Sequence, residues 1–136
     1  MEQVMTELKT LKFTILGNPT PLARPRFSDG KCWDSQRMKK RVSSGQLSRQ
    51  HFNRPMIEAP ISMQLKFYFE FTSSFSKKAR EAGAVLRATK PDLDNLIKYV
   101  CDVGNDIIWR DDAQIYHIEA SKHFDHIGRT EIIITF

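Results

Sequence analysis

The chain has 136 residues, 40% of them hydrophobic and 27% charged, which is the balance of a soluble globular protein with one domain and a small core. Lys and Arg number 21 against 16 Asp and Glu, a net charge of +5 that admits nucleic acid as a partner without requiring it. The two cysteines form no C-x-x-C and exclude a disulfide framework or a zinc-ribbon motif, and no run approaches the ~18 apolar residues of a membrane span. The opening Met1-Glu2-Gln3 lacks the basic start of a signal peptide, so a reducing cytoplasm is the expected compartment. A single domain over residues 1–136 is expected, with residues 1–9 loosely ordered.

Taken in chain order, residues 8–16 alternate around Leu11, Phe13 and Ile15 and predict a strand. Gly17, Pro19, Pro21 and Pro25 end it and open an arginine-rich loop over 17–34. Asp34 or Ser35 is placed to cap a helix over 35–51. Its apolar positions are sparse (Met38, Val42, Leu47, Phe52) and Gly45 weakens it, so a poorly buried helix with an open basic face is expected. Residues 60–71 give the clearest strand, with Ile61, Met63, Leu65, Phe67, Phe69 and Phe71 on one side and Ser62, Gln64, Lys66, Tyr68 and Glu70 on the other. A short basic helix over 75–84, starting near Ser74 or Ser76, and a connection over 85–91 follow.

The next segment predicts a helix over 94–107, capped by Asp94. At 100° per residue Leu93, Leu96, Ile97, Val100, Cys101, Gly104 and Ile107 share one arc, and Asp94, Lys98 and Asp102 stack on its flank. A turn at 108–112 carries Trp109. Residues 113–124 and 130–136 then read as a β-hairpin across Asp125–Arg129. The fold class is therefore α+β: a single small domain with a mixed β-sheet of about four strands and helices packed on it.

Charge is unevenly distributed. Residues 24–54 carry nine Lys or Arg against two Asp, net +7, and residues 77–90 carry five against one Glu, net +4. Residues 91–112 reverse this, with Asp92, Asp94, Asp102, Asp106, Asp111 and Asp112 against Lys98 and Arg110, net −4. The basic stretches offer a docking surface for a phosphate backbone through Arg24, Arg26, Lys39, Lys40, Arg41, Lys77, Lys78 and Lys90. The acidic stretch is a candidate site for Mg²⁺, which prefers hard carboxylate oxygens. Asp92 and Asp94 are two apart in chain that is extended just before a helix, so their side chains point the same way with Cα atoms ~6–7 Å apart. Lys98 lies one turn beyond Asp94 and can hold a phosphate oxygen or developing charge. Asp111 and Asp112 follow after the helix has carried the chain ~15 Å away, so a shared metal site requires the chain to fold back.

A structural reading stands beside the metal site: Asp94 as a cap, Asp94–Lys98–Asp102 as surface ion pairs, and Asp111-Asp112 as a turn. His117, His123 and His126 read as solvated or packing side chains rather than ligands. Trp33 and Trp109 are candidates for stacking on bases, with Trp109 also reading as core beside Ile107-Ile108. Arg24-Pro25-Arg26 reads equally as a turn with solvated ends or as a phosphate clamp. No Walker loop and no G-x-S-x-G is present.

The stretch Lys90-Pro91-Asp92-Leu93-Asp94-Asn95-Leu96-Ile97-Lys98, then Asp102, then Ile108-Trp109-Arg110-Asp111-Asp112-Ala113-Gln114-Ile115 resembles the signature of the RusA family of Holliday junction resolvases. Gly17, Pro19, Pro21 and Arg24-Pro25-Arg26 are similar to that family's opening loop, and the resemblance spans roughly residues 10–136. It implies a small homodimeric endonuclease that uses Mg²⁺ or Mn²⁺ to nick branched DNA at four-way junctions, leaving 5′-phosphate and 3′-hydroxyl ends. It implies catalytic carboxylates and metal ligands at Asp92, Asp94 and Asp112, a catalytic lysine at Lys98, and secondary acidic positions at Asp102 and Asp111. It also implies a prokaryotic or prophage origin. Two departures stand out: Leu22 replaces a basic residue of the opening loop, and Gly104 replaces a larger apolar residue, which is expected to loosen the helix end that delivers Asp112. The alternatives are a DNA-binding module without catalysis and a broader nuclease acting on forks and flaps. The dimer surface is expected at the C-terminal hairpin or the N-terminal strand.

Overall fold

The computed structural model describes residues 7–83 and 85–136. Seven strands and three α-helices follow in order: β1 (Thr10–Leu16), β2 (Arg26–Ser28), β3 (Lys31–Trp33), α1 (Arg37–Gln50), β4 (Ile61–Glu70), α2 (Lys77–Glu81), β5 (Val85–Leu86), α3 (Leu93–Gly104), a 3₁₀ turn (Asp112–Gln114), β6 (Ile115–Asp125) and β7 (Arg129–Thr135). Five strands form a mixed sheet in the order β1-β7-β4-β6-β5, and β2 and β3 form a separate ribbon. The expected α+β domain is present, with five strands in the main sheet rather than about four. Of the segment expected to be loose, residues 1–6 lie outside the described residues, and Lys9 is already hydrogen-bonded to the Phe136 backbone.

β4 sits at the centre and contributes more buried apolar side chains than any other strand. Ile61, Met63, Leu65, Phe67 and Phe69 are all buried on one face of the strand. β6 runs parallel to it on one flank and β7 antiparallel on the other. This corrects the hairpin predicted from 113–124 and 130–136. β6 and β7 are not paired with each other; β4 lies between them. Residues 126–128 cross the end of β4, a span of ~9–10 Å across two strand spacings. The crossing is held by Phe71 N–H donating to Asp125 O at 3.0 Å and Gly17 N–H donating to Gly128 O at 3.0 Å. A Cβ at Gly128 would sit 2.3 Å from Asn18 Oδ1 and 2.9 Å from Asn18 N, so only glycine fits there.

α1 and α3 cover one face of the sheet. α1 is as poorly buried as its sequence predicts: Met38, Val42 and Phe52 are exposed, and Leu47 is its apolar anchor. Hydrogen bonds do the rest. Ser43 Oγ meets Tyr99 Oη at 2.9 Å, and Ser44 Oγ donates to Val103 O at 2.9 Å. The Gln50 amide both accepts from Thr14 N–H and donates to Thr14 O at 2.7 Å, closing the outer edge of β1 as another strand would. α3 buries Leu96, Tyr99, Val100, Cys101, Val103 and Gly104. It starts and stops earlier than predicted: its N-cap is Asp92 rather than Asp94, and it ends at Gly104 rather than 107. α2 is the expected basic helix, capped by Ser76 Oγ accepting from Ala79 N–H at 3.1 Å.

Candidate active site

The acidic motif begins in a braced loop. The Lys90-Pro91 peptide is cis. Lys122, reaching over from β6, donates from Nζ to Thr89 O at 2.7 Å and to Pro91 O at 2.8 Å. Arg87 donates from Nε and Nη2 to Lys90 O, while its guanidinium lies 4.0 Å from the Phe69 ring centre and 4.9 Å from that of Phe124. Three consecutive carbonyls before Asp92 are thereby held by two cations. Asp92 then takes the N-cap position, yet its side chain makes no capping hydrogen bond, and Asp94 sits in the first turn. Both carboxylates face solvent. Lys98 Nζ lies 3.9 Å from Asp94 Oδ2, with both groups well exposed, so the pair is loose.

The opening loop is tied to this same end of α3. Leu22 N–H donates to Asn95 O at 2.9 Å, and Leu22 packs against the core. Gln36 accepts from Ala23 N–H at 2.9 Å and donates to Pro21 O at 2.8 Å. The departure at Leu22 therefore serves as an anchor, ahead in sequence of the exposed Arg24 and Arg26.

At the other end of α3 the chain turns sharply. Asp106 adopts φ 62°, its N–H donates to Trp109 O at 2.7 Å, and Trp109 Nε1 donates to Asn105 Oδ1 at 2.6 Å. Trp109 is completely buried, which settles it as core. A Cβ at Gly104 would fall 2.3 Å from Trp109 Cη2, so Gly104 is the seat of the indole. This overturns the expectation that Gly104 loosens the helix end. The absent side chain lets the turn close.

The turn delivers the second acidic pair. Asp111 Oδ1 accepts from Ala113 N–H at 3.0 Å, and Gln114 Oε1 accepts from Asp111 N–H at 2.9 Å in a reciprocal capping box. Gln114 Nε2 also donates to Ile57 O at 2.8 Å and Ala59 O at 3.1 Å, fixing the turn to the segment before β4. Asp112 comes to rest close enough to Asp102 and Cys101 to interact with them electrostatically. The neighbouring Asp111 carboxylate, with some burial, holds the Asp112 carboxyl above the usual carboxylate range. The Ala113 N–H, and then Asp112, hold Asp111 below it. Burial, with Asp112 and Asp102 adding to it, pushes the Cys101 thiol up to about 11.

Two of the predicted residues are engaged elsewhere. Lys40 Nζ lies 2.5 Å from Asp34 Oδ2 and 2.7 Å from Asp102 Oδ2, joining the start of α1 to the end of α3. Burial opposes the Lys40 charge, but the hydrogen bonds to Asp102 and Asp34 outweigh it and raise its pKa. Arg24, Arg26, Lys39, Arg41, Lys77, Lys78 and Lys90 are exposed, with Lys77 in a loose 3.9 Å pair with Glu81. The histidines are occupied as packing or surface groups: His123 stacks on Tyr68 at 5.1 Å, His126 stands edge-on to Phe71 at 5.2 Å, and His117 lies 3.6 Å from Glu119.

Among the described residues no three His, Cys, Asp or Glu side chains converge to hold a metal ion. Asp92, Asp94 and Asp112 stand as separate exposed carboxylates, the first two at the start of α3 and the third by its last turn. Their chemistry still fits a hard divalent cation, because every donor is a carboxylate oxygen. Sequence reasoning missed Lys122, Arg87, Gln36 and Gln114. Only Gln114 had a local signal, the Asp-x-x-Gln spacing of a capping box.

The fold and site define a small α+β domain with an acidic row along one helix, set among exposed cations. The chain belongs to the RusA endodeoxyribonuclease family: the family described as Endodeoxyribonuclease RusA matches residues 17–135. The chain is also similar to "Uncharacterized protein YqaN" of Bacillus subtilis (strain 168), at 34% identity over 136 residues, covering 91% of this chain and 94% of that protein. No helix among the described residues is long and apolar enough to cross a membrane.

Proposed function

We infer that this chain is a Mg²⁺-dependent endodeoxyribonuclease that nicks four-way DNA junctions in recombination and repair. Family membership gives the reaction class. The observation that carries the site assignment is Asp92, which stands at the N-cap of α3 and leaves its carboxylate unused by the cap. A purely structural aspartate at that position would accept from the first-turn N–H groups. Asp92, Asp94 and Asp112 would supply carboxylate oxygens to one or two Mg²⁺, with Mn²⁺ as a substitute, although the three do not converge on a single point in this structure. Held there, such an ion would supply an acidified water and offset charge on the scissile phosphate.

The remaining work falls to the chain itself. Lys98, exposed one turn into α3, holds a phosphate oxygen and stabilises charge as the phosphoryl centre becomes five-coordinate. Arg24, Arg26, Lys39, Arg41, Lys77, Lys78 and Lys90 neutralise backbone phosphates on either side, which makes affinity fall as salt rises. Lys40, held by Asp34 and Asp102, shapes the site instead of meeting DNA. A C₂ homodimer places one such site at each of two opposed strands of the pseudo-symmetric junction.

Nicking of an end-labelled synthetic junction tests this reading against fork and linear duplex substrates. Junction cleavage with Mg²⁺ is expected to exceed both. Asp92→Asn is expected to abolish nicking while junction binding is kept or tightened, because a repulsive charge leaves the site. A pure Asp92→Asn protein that cuts at the wild-type rate ends the assignment.

A further inference from the structure

The β2–β3 ribbon has no place in the core, yet it carries large aromatic side chains. Among the described residues it pairs with no other strand, and all six of its ladder residues are exposed. Phe27 is 77% exposed and Trp33 46%. Its Asp29-Gly30 turn has positive φ at both residues, 49° and 72°, as a two-residue hairpin turn requires. The ribbon is therefore built to hold a shape while burying nothing within this chain.

The ladder sorts its side chains into two faces. Arg26 lies opposite Trp33, and Ser28 opposite Lys31, so Arg26, Lys31 and Trp33 share one face. Phe27 lies opposite Cys32 on the other. An indole between a guanidinium and an ammonium is the combination that receives a nucleic-acid strand: the ring offers a flat face to any base, and the cations meet the phosphates beside it.

Both roots of the ribbon are tied to α3. On the entry side Leu22 N–H is bonded to Asn95 O in the first turn. On the exit side Asp34, the residue after Trp33, is joined through Lys40 to Asp102 in the last turn. The ribbon thus springs from the same helix whose flank carries the acidic row.

We propose that the β2–β3 ribbon is a base-stacking finger, with Trp33 as the platform for a base left unstacked at the branch point of a DNA junction. The finger rests on the junction-nuclease reading and deepens it. A base within continuous duplex is already stacked on both faces and gains nothing from Trp33, whereas a base at the crossover has a face to spare. The finger therefore supplies preference for branched over linear DNA, and the phosphate-binding cations do not. A second copy of the chain seated on the ribbon is the rival occupant. The charge argues against it, because Arg24, Arg26 and Lys31 would oppose their own copies across a two-fold contact.

The test measures binding of the full-length protein to a four-way junction and to a linear duplex in EDTA, with Trp emission recorded throughout. Trp33→Ala is expected to weaken junction binding by about 5- to 140-fold, the range for one base–aromatic stack, and duplex binding by less than twofold. Trp33→Phe keeps an aromatic face and is expected to restore junction affinity to within a few fold, while losing the emission quench that junction binding produces in wild type; the buried Trp109 continues to report. Far-UV circular dichroism checks that each variant is folded. Wild-type junction affinity in both Trp33 variants overturns the finger while leaving the nuclease reading intact. A wild-type protein that prefers junction no more than duplex overturns the junction reading itself. Loss of self-association in Trp33→Ala, seen by sedimentation, assigns the ribbon to a second copy and also overturns the proposal.

Discussion

Gly104→Ala is the sharpest test of how the acidic turn is held, because two opposing effects of known size meet at one atom. Gly104 is the last residue of α3 and has an ordinary helical φ, so alanine by itself gains about 1 kcal/mol from helix propensity. Against this, the new methyl would lie 2.3, 2.5 and 3.0 Å from Cη2, Cζ2 and Cζ3 of Trp109, where carbon atoms normally meet at ~3.5–4.0 Å. The indole has little room to retreat. Its Nε1–H donates to Asn105 Oδ1, the Trp109 backbone carbonyl accepts from Asp106 N–H, and no part of the residue reaches solvent. Overpacking of a well-packed core costs about 1–3 kcal/mol and occasionally more, and an overlap above 1 Å against a fixed ring belongs at the upper end or beyond. The net expectation is a loss of about 2 kcal/mol, read by urea or thermal unfolding followed by circular dichroism, with Tm lower by roughly 5–10 °C. Adding Trp109→Phe removes part of the clash, so the double variant should be less destabilised than the sum of the singles by about 1–2 kcal/mol. A Gly104→Ala protein as stable as wild type, or a strictly additive cycle, would refute the packing argument.

Further outcomes follow from the same geometry. Lys122→Met keeps the aliphatic stem but strips Thr89 O and Pro91 O of their donor; it should cost about 1–2 kcal/mol of stability. It should also slow nicking at saturating junction by roughly 10- to 100-fold with a raised Mn²⁺ requirement, and an unchanged rate and Mn²⁺ dependence would remove Lys122 as a positioning residue. Asp111→Asn retains an oxygen for the Ala113 N–H but deletes the charge that raises the Asp112 pKa, so Asp112 should ionise at lower pH and the acid limb of the pH–nicking profile should move down; a limb that stays or rises contradicts this. In the folded protein Cys32 should react at once with a thiol reagent and Cys101 only on unfolding. Because an unfolded thiol ionises near 9.0 and Cys101 at about 11, the unfolded chain releases a proton that the folded one keeps, and stability should fall as pH rises from about 9 towards 11.

What could be read from the sequence follows a physical divide. β4 and α3 were legible because each buries a continuous apolar face, and burial imposes period two or period 3.6 on the residues themselves. The docking of α1 was not, because Ser43, Ser44 and Gln50 look like a solvated face until their distant partners are known. The β2–β3 ribbon left only its Asp29-Gly30 turn as a signal, since strands exposed on both faces carry no apolar alternation. The pairing of β6 and β7 was misread because a short connector between antiparallel strands is ordinarily a hairpin; nothing local shows that β4 lies between them. Asp92 and Asp94 both suit an N-cap, and the two-residue error in the start of α3 came from choosing the wrong one. The family motif marked Asp92, Asp94, Lys98 and Asp112, but it was silent on the cations at Arg87 and Lys122 that fix the backbone ahead of them, because those contacts are made by atoms far apart in the chain.

The acidic residues differ in the partners the fold gives them. Exposed carboxylates crowded along one short helix repel one another, and the fold compensates only some of them. Asp102 is neutralised by Lys40 at 2.7 Å, and Asp111 is consumed by its capping box. Asp94 has a loose partner in Lys98 at 3.9 Å. Asp92 makes no cap hydrogen bond, and the nearest charged company of Asp112 is acidic, which is why its proton is held too tightly. A protein selected for stability alone has cheap remedies here, since asparagine at either position removes the repulsion and suits a helix start or a turn equally well. Asp92 and Asp112 left uncompensated and Asp94 only loosely paired, with Asp102 and Asp111 engaged by the fold, make sense if the first three have their charge completed from outside the chain. On the proposed reading, the acids that support the fold and the acids that would meet a cation are different residues of one motif, and the Lys40–Asp102 contact belongs to the first group.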